Sequence, residues 1–87
     1  MKIKNGFVVR SIAGESVVVA LGDASKNFNG IIKLNETGRL LWDRLSVGCE
    51  VEELVAAILA EYDVDRATAE TDINRFVETL KGASIIE

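Results

Sequence analysis

The feature that most restricts this chain is a change of hydrophobic period at Leu34-Asn35. Up to Leu34 the apolar residues alternate with polar ones or run in short β-branched stretches. After it they recur at intervals of three and four. Side chains change face at every residue of a strand and return to one face every 3.6 residues of a helix, so strands come first here and helices second. Such a chain is expected to fold as an α+β domain: a three-stranded antiparallel sheet followed by three helices, winged-helix-like, with the helices on one sheet face. Its 87 residues allow one hydrophobic core, and residues 1–87 read as a single domain.

Phe7 to Ile12 and Ser16 to Leu21 are dense in β-branched residues and are separated by Ala13-Gly14-Glu15, a hairpin turn. A polar loop, 22–27, leads to a third strand from Phe28 to Leu34. There Phe28, Gly30, Ile32 and Leu34 share the face expected to be buried, opposite Asn29, Ile31 and Lys33. In the first strand Phe7 and Val9 point inward, and Val8 and Arg10 outward. The second is apolar on both faces, as a central strand is.

Asn35 is placed to cap a first helix over Glu36 to Leu45. A second is written by Val51, Leu54, Val55, Ile58, Leu59 and Tyr62. Asp65 caps a third, which turns Ala69, Ile73, Phe76, Val77 and Leu80 inward and ends at Gly82 in a left-handed conformation. Ile85-Ile86 is apolar enough to fold back on the domain.

Composition removes most chemistry. With no histidine, the commonest acid–base and triad mechanisms are excluded. Cys49 is the only cysteine, beside glutamates that oppose a reactive thiolate, and it reads as structural. Asp63 and Asp65 open like a calcium loop without its later glycine and glutamate, while Glu50, Glu52 and Glu53 suit a helix start better than a metal. The glycines form no phosphate-binding spacing. Trp42 reads as core, with an interface anchor as the alternative. A non-enzyme without cofactor or metal is expected.

Ten basic against fourteen acidic residues give a net charge of −4, which disfavours nucleic acid as a partner. No apolar run is long enough to span a membrane, and the opening stretch is broken by Arg10 and Ser11 before it reaches the length of a signal-peptide core. With one cysteine, a cytoplasmic, binding protein is the expectation.

In the strand order 1-2-3, the third strand is an edge with unpaired backbone groups, to which a peptide can add. Gly30 marks either a bulge or a close backbone approach. Asp72, Arg75, Phe76 and Thr79 on the third helix are placed to form a second wall beside Phe28, Asn29, Gly30, Ile31, Ile32, Lys33 and Leu34. Lys33 and Arg75 would then meet acidic groups of the peptide. The opposite sheet face is expected to expose Val8, Val18, Ala20 and Ile31, a patch suited to self-association as a homodimer.

The run Phe28-Asn29-Gly30-Ile31-Ile32-Lys33-Leu34-Asn35-Glu36-Thr37-Gly38-Arg39-Leu40-Leu41-Trp42 resembles the PqqD family, named for coenzyme PQQ synthesis protein D. So do Val51-Glu52-Glu53-Leu54-Val55 and Glu61-Tyr62-Asp63-Val64-Asp65, and the likeness extends from Gly6-Phe7-Val8 to Ile85-Ile86. It implies a non-catalytic peptide chaperone, the recognition element for ribosomally made, modified peptides. Such a protein holds the leader of a precursor peptide along its third strand, against the third helix, and presents it to a modifying enzyme, commonly a radical SAM protein. The Asn35-Glu36-Thr37-Gly38 segment is of the generic type, pointing to the broader family. A winged-helix nucleic-acid binder and a dimerisation module are the alternatives.

Overall fold

Two residues, Ala13 and Gly14, turn strand β1 (Phe7–Ile12) back onto β2 (Glu15–Ala20). Both have positive φ, 52° and 82°, the conformation that matches the right-handed twist of a tight hairpin. The computed structural model describes residues 1–26, 28 and 31–86. A 3₁₀ turn over Gly22–Lys26 occupies most of the expected loop, and β3 (Ile32–Leu34) follows. Three helices complete the chain: α1 (Glu36–Val47), α2 (Val51–Glu61) and α3 (Arg66–Gly82). The α+β reading, a three-stranded antiparallel sheet and then three helices, is what the structure has. The sheet order is β1-β2-β3.

The register corrects one reading. Ile12 pairs with Glu15, Val9 with Val18, and Val18 in turn with Ile32. Val18 is therefore on the core face and is 2% exposed, while Ala20 faces the same way opposite Phe7. Neither belongs to an outward patch. A three-residue turn would have paired Ile12 with Ser16; the actual two-residue turn shifts β2 by one position and exchanges its faces. The outward residues are Val8, Val17 and Val19, with exposed Ile31 continuing the alternation of β3.

β3 is shorter than expected. Its paired part begins at Ile32, and Asn29 and Gly30, expected in the strand, lie outside the described residues. Leu34 is buried, Ile32 and Phe28 are half-buried, and Ile31 and Lys33 are exposed, as alternation requires.

Both expected caps are present. The Gly38 amide donates to Asn35 Oδ1 at 2.7 Å, and the Thr68 amide to Asp65 Oδ1 at 2.7 Å. α2 opens with the Glu50 amide donating to the Glu53 carboxylate at 3.3 Å. Leu41, Trp42 and Leu45 of α1, Leu54 and Ile58 of α2, and Ala69, Ile73, Val77 and Leu80 of α3 form the helical core. Trp42 is thus core, at 4% exposure. In α2 the inward position expected of Leu59 is taken by Ala57, and Leu59 is exposed.

α3 does not stop in a left-handed turn at Gly82. It runs through that residue, and the positive φ, 58°, falls at Ser84. That turn sends Ile85 and Ile86 back into the core, where the Lys4 amide donates to the Ile85 carbonyl at 2.8 Å and Ile3 bridges Ile86. The helices cover one face of the sheet. None of the described helices is long and apolar enough to cross a membrane.

Candidate functional site

β2 occupies one side of β3, and no described strand pairs with the other. A free edge leaves every second backbone N–H and C=O directed at whatever comes alongside. What lies alongside is a groove of about 360 Å³ between β3 and α3. Ile32, Lys33 and Leu34 form one wall, and Asp72, Arg75, Phe76 and Thr79 form the other. The floor is apolar, with Leu34 8% and Leu41 1% exposed and the half-buried Phe76 ring over them.

The buried Gly38 lies beside this floor. A Cβ at that position would lie 3.5 Å from the Phe76 ring and 3.2 Å from the capping oxygen of Asn35. The glycine thus serves the cap, where a side chain would crowd the oxygen, while the ring contact would be an ordinary one.

The rim is polar. Asp72 and Arg75 make no ion pair with any described residue, and Lys33 meets only Glu15, at 3.4 Å on the exposed surface. Pairs of that kind exchange readily for a ligand's charge. The Thr79 hydroxyl donates to the Arg75 carbonyl at 2.9 Å, leaving its lone pairs to accept. An extended segment laid here would meet backbone groups on one side, an apolar floor below and one carboxylate with two cations around it.

Four of the residues expected on the β3 side stand elsewhere or undescribed. Phe28 packs edge-on against Phe7, ring centroids 5.6 Å apart, beside a smaller recess of about 300 Å³. Ile31 is 74% exposed and does not line the groove; Asn29 and Gly30 are not described. Sequence reasoning missed Asn35, Thr37 and Leu41, which also line the groove. The signal was available: α1 begins two residues after β3 ends, so its first turn must close that end of the cleft. A broader recess of about 710 Å³ at the hairpin end shares Lys33, Leu34 and Asn35, but Glu15, Glu36 and Arg39 rim it and it lacks an apolar floor of comparable depth.

Nothing else among the described residues assembles a reaction centre. No three His, Cys, Asp or Glu side chains come together to hold a metal. Burial, then the Glu53 charge, pushes the Cys49 thiol up from its ordinary range, which keeps it protonated and poorly nucleophilic.

The model of the family described as coenzyme PQQ synthesis protein D (PqqD) matches residues 15–86. The chain belongs to the PqqD family. Among solved structures, this PqqD-family chain is similar to TbiB1 in complex with the TbiA(beta) leader peptide, at 34% identity and a TM-score of 0.78, over 100% of this chain and 95% of that one. It is also similar to lasso peptide synthetase B1 complexed with the leader peptide, at 25% identity and a TM-score of 0.74, over 97% and 93% of the two chains. No curated protein matches it.

Proposed function

We propose that this PqqD-family protein is a non-catalytic recognition element that captures the leader of a ribosomally made precursor peptide and holds it for a modifying enzyme. One observation carries the reading: the edge of β3 that no described strand covers faces an apolar-floored groove whose other wall, on α3, carries Asp72 and Arg75, neither paired with a described residue. The leader adds to β3 as a fourth strand. An apolar leader side chain enters over Leu34, Leu41 and Phe76, and an acidic one meets Arg75. Both solved relatives are leader-peptide complexes, which supports the same ligand class for this chain.

The work is done in the cytoplasm, where a ribosomal precursor first meets its enzymes. A radical SAM protein is the partner the family implies most often. The likeness to a lasso peptide synthetase subunit favours an enzyme of lasso peptide assembly as a second reading.

The TbiA(beta) leader, bound by the 34%-identical relative, is the first probe. Titrated into ¹⁵N-labelled protein, it is expected to shift the amides of residues 31–34 and of 72–79. Shifts confined to other regions would sink the binding mode, and no shift with this or any leader from the same genome would sink the function.

A further inference from the structure

The sheet has two edges, and the groove uses only one. β1 is the other: it has six residues against the three of β3, with β2 on one side and no described strand on its far side. It lacks the devices that keep an edge single, having no proline, no bulge in its ladder with β2 and no charged side chain on its core face. The helices also stop short of it. On the core face Val18 of β2 is 2% and Leu34 of β3 8% exposed, whereas Phe7 and Val9 of β1 are only half-buried and Ser11 is exposed.

The phase of the ladder decides which backbone groups of β1 are free. The Leu21 amide donates to the Gly6 carbonyl at 2.6 Å, so Gly6 and Leu21 form a hydrogen-bonded pair. Such pairs recur at every second position of an antiparallel ladder. In this register Val8 with Val19, Arg10 with Val17 and Ile12 with Glu15 are therefore bonded across to β2. Phe7, Val9 and Ser11 direct their N–H and C=O groups the other way, and no backbone group of a described residue outside the sheet bonds to them. This free set is symmetric about Val9. An antiparallel second copy, related by a two-fold axis through Val9 and normal to the sheet, sets Val9 against Val9 and each Phe7 against Ser11 of the other copy. Every free group of the set then has a partner. An axis at Val8 or Arg10 would leave Ser11 or Phe7 opposite a residue beyond the strand, and the second would also oppose Arg10 to itself.

We propose that the protein forms a homodimer through β1, in which two copies share one six-stranded sheet centred on Val9. On the core face the two half-buried Val9 side chains cover each other. On the outer face Arg10 falls opposite Val8 of the other copy, and the two Arg10 are diagonal neighbours that both open on solvent. Self-association, expected of the sheet face, is thus placed at an edge. The helices of both copies stand on one side of the joined sheet, and the two β3 grooves lie at its outer ends. The proposal does not depend on the leader reading, because both β3 edges stay open; where a leader binds, one dimer takes two.

The test is sedimentation velocity on the full chain from about 10 μM to about 1 mM, where the mass should rise from that of one chain towards that of two. Over the same range the amide protons of Phe7, Val9 and Ser11 should become protected from exchange, while those of Val8, Arg10 and Ile12 are protected throughout by β2. Two variants at one position test the register. Val8→Arg sets a like charge directly opposite Arg10 at two symmetric places, and Val8→Glu sets an opposite charge there. The dimer dissociation constant of Val8→Arg should exceed that of Val8→Glu about tenfold, with circular dichroism showing the same fold in both. A chain that stays single up to about 1 mM overturns the proposal. So does a dimer whose Phe7, Val9 and Ser11 amides exchange as fast as in the single chain, or one that the two Val8 variants form equally well.

Discussion

α3 meets two neighbours in opposite ways. Towards α2 it presents Ala69, Ile73, Val77 and Leu80, none more than 5% exposed, and Arg66 joins Glu52 of α2 at 2.6 Å. Towards β3 it presents Asp72, Arg75, Phe76 and Thr79, of which only Phe76 is partly buried. One junction is closed and the other is open, on the same helix and within one residue of each other in sequence. The closed side therefore anchors the helix, and the open side is free to be selected for what it binds. Substitutions should separate accordingly, into those that cost stability and those that cost affinity.

The sharpest break is on the closed side. Ile73→Ala removes a fully buried side chain from the helix junction and should destabilise the fold by about 2–5 kcal/mol, a large share of the roughly 5–15 kcal/mol that a small domain has. Urea denaturation measures it. An unchanged midpoint would mean that the junction does not hold the domain together. Next comes the open side. Phe76→Ala strips the groove floor, and Arg75→Glu reverses its rim. Each should lower leader affinity about tenfold, on the scale of truncating an interface anchor, as read by calorimetry with the TbiA(beta) leader. Arg75→Glu should leave the denaturation midpoint close to wild type, because Arg75 is exposed and makes no ion pair with a described residue. A large loss of stability from it would erase the distinction between the two sides.

The closed side was the more legible in sequence, and for a physical reason. Burial imposes a period, so Ala69, Ile73, Val77 and Leu80 announce their shared face at spacings of three and four. Caps are legible too, because an Asn or Asp side chain bonds its own backbone three residues on, as Asn35 and Asp65 do. The position of Val18 was not legible. Its face depends on whether the turn holds two residues or three, and a one-residue difference exchanges every side chain of β2. The open side was half legible. An edge strand and an adjacent helix could be inferred from element order, but the part taken by Asn35, Thr37 and Leu41 requires knowing how closely α1 follows β3 in space. Phe28 has the alternation expected of it, but its ring packs on Phe7 across the sheet, a pairing that alternation along one strand does not reveal.

A smaller effect joins the two sides at α1. Asn35→Ala deletes the acceptor for the Gly38 amide and should cost about 1 kcal/mol of stability. The same side chain lines the groove, so leader affinity should fall as well, by less than for Phe76→Ala. Stability without any change in affinity would place the cap wholly on the closed side.

The smallest expected effect is electrostatic, at the start of α3 and outside the groove lining. The amide of Thr68, and secondarily its hydroxyl, bonds to the carboxylate of Asp65 and holds its pKa below the ordinary aspartate value. A carboxylate with a depressed folded pKa binds its proton more readily in the unfolded chain. Its contribution is complete above the unfolded aspartate value, about 3.9, and is lost as pH falls through the lower folded value. Asp65→Asn keeps a good capping acceptor and removes the titration. The wild type should therefore lose stability more steeply than Asp65→Asn on acidification below about pH 4, while the two differ little at neutral pH. Urea midpoints measured from pH 3 to pH 7 give the comparison. Parallel curves would mean that the Thr68 bond does not distinguish the charged carboxylate from a neutral amide.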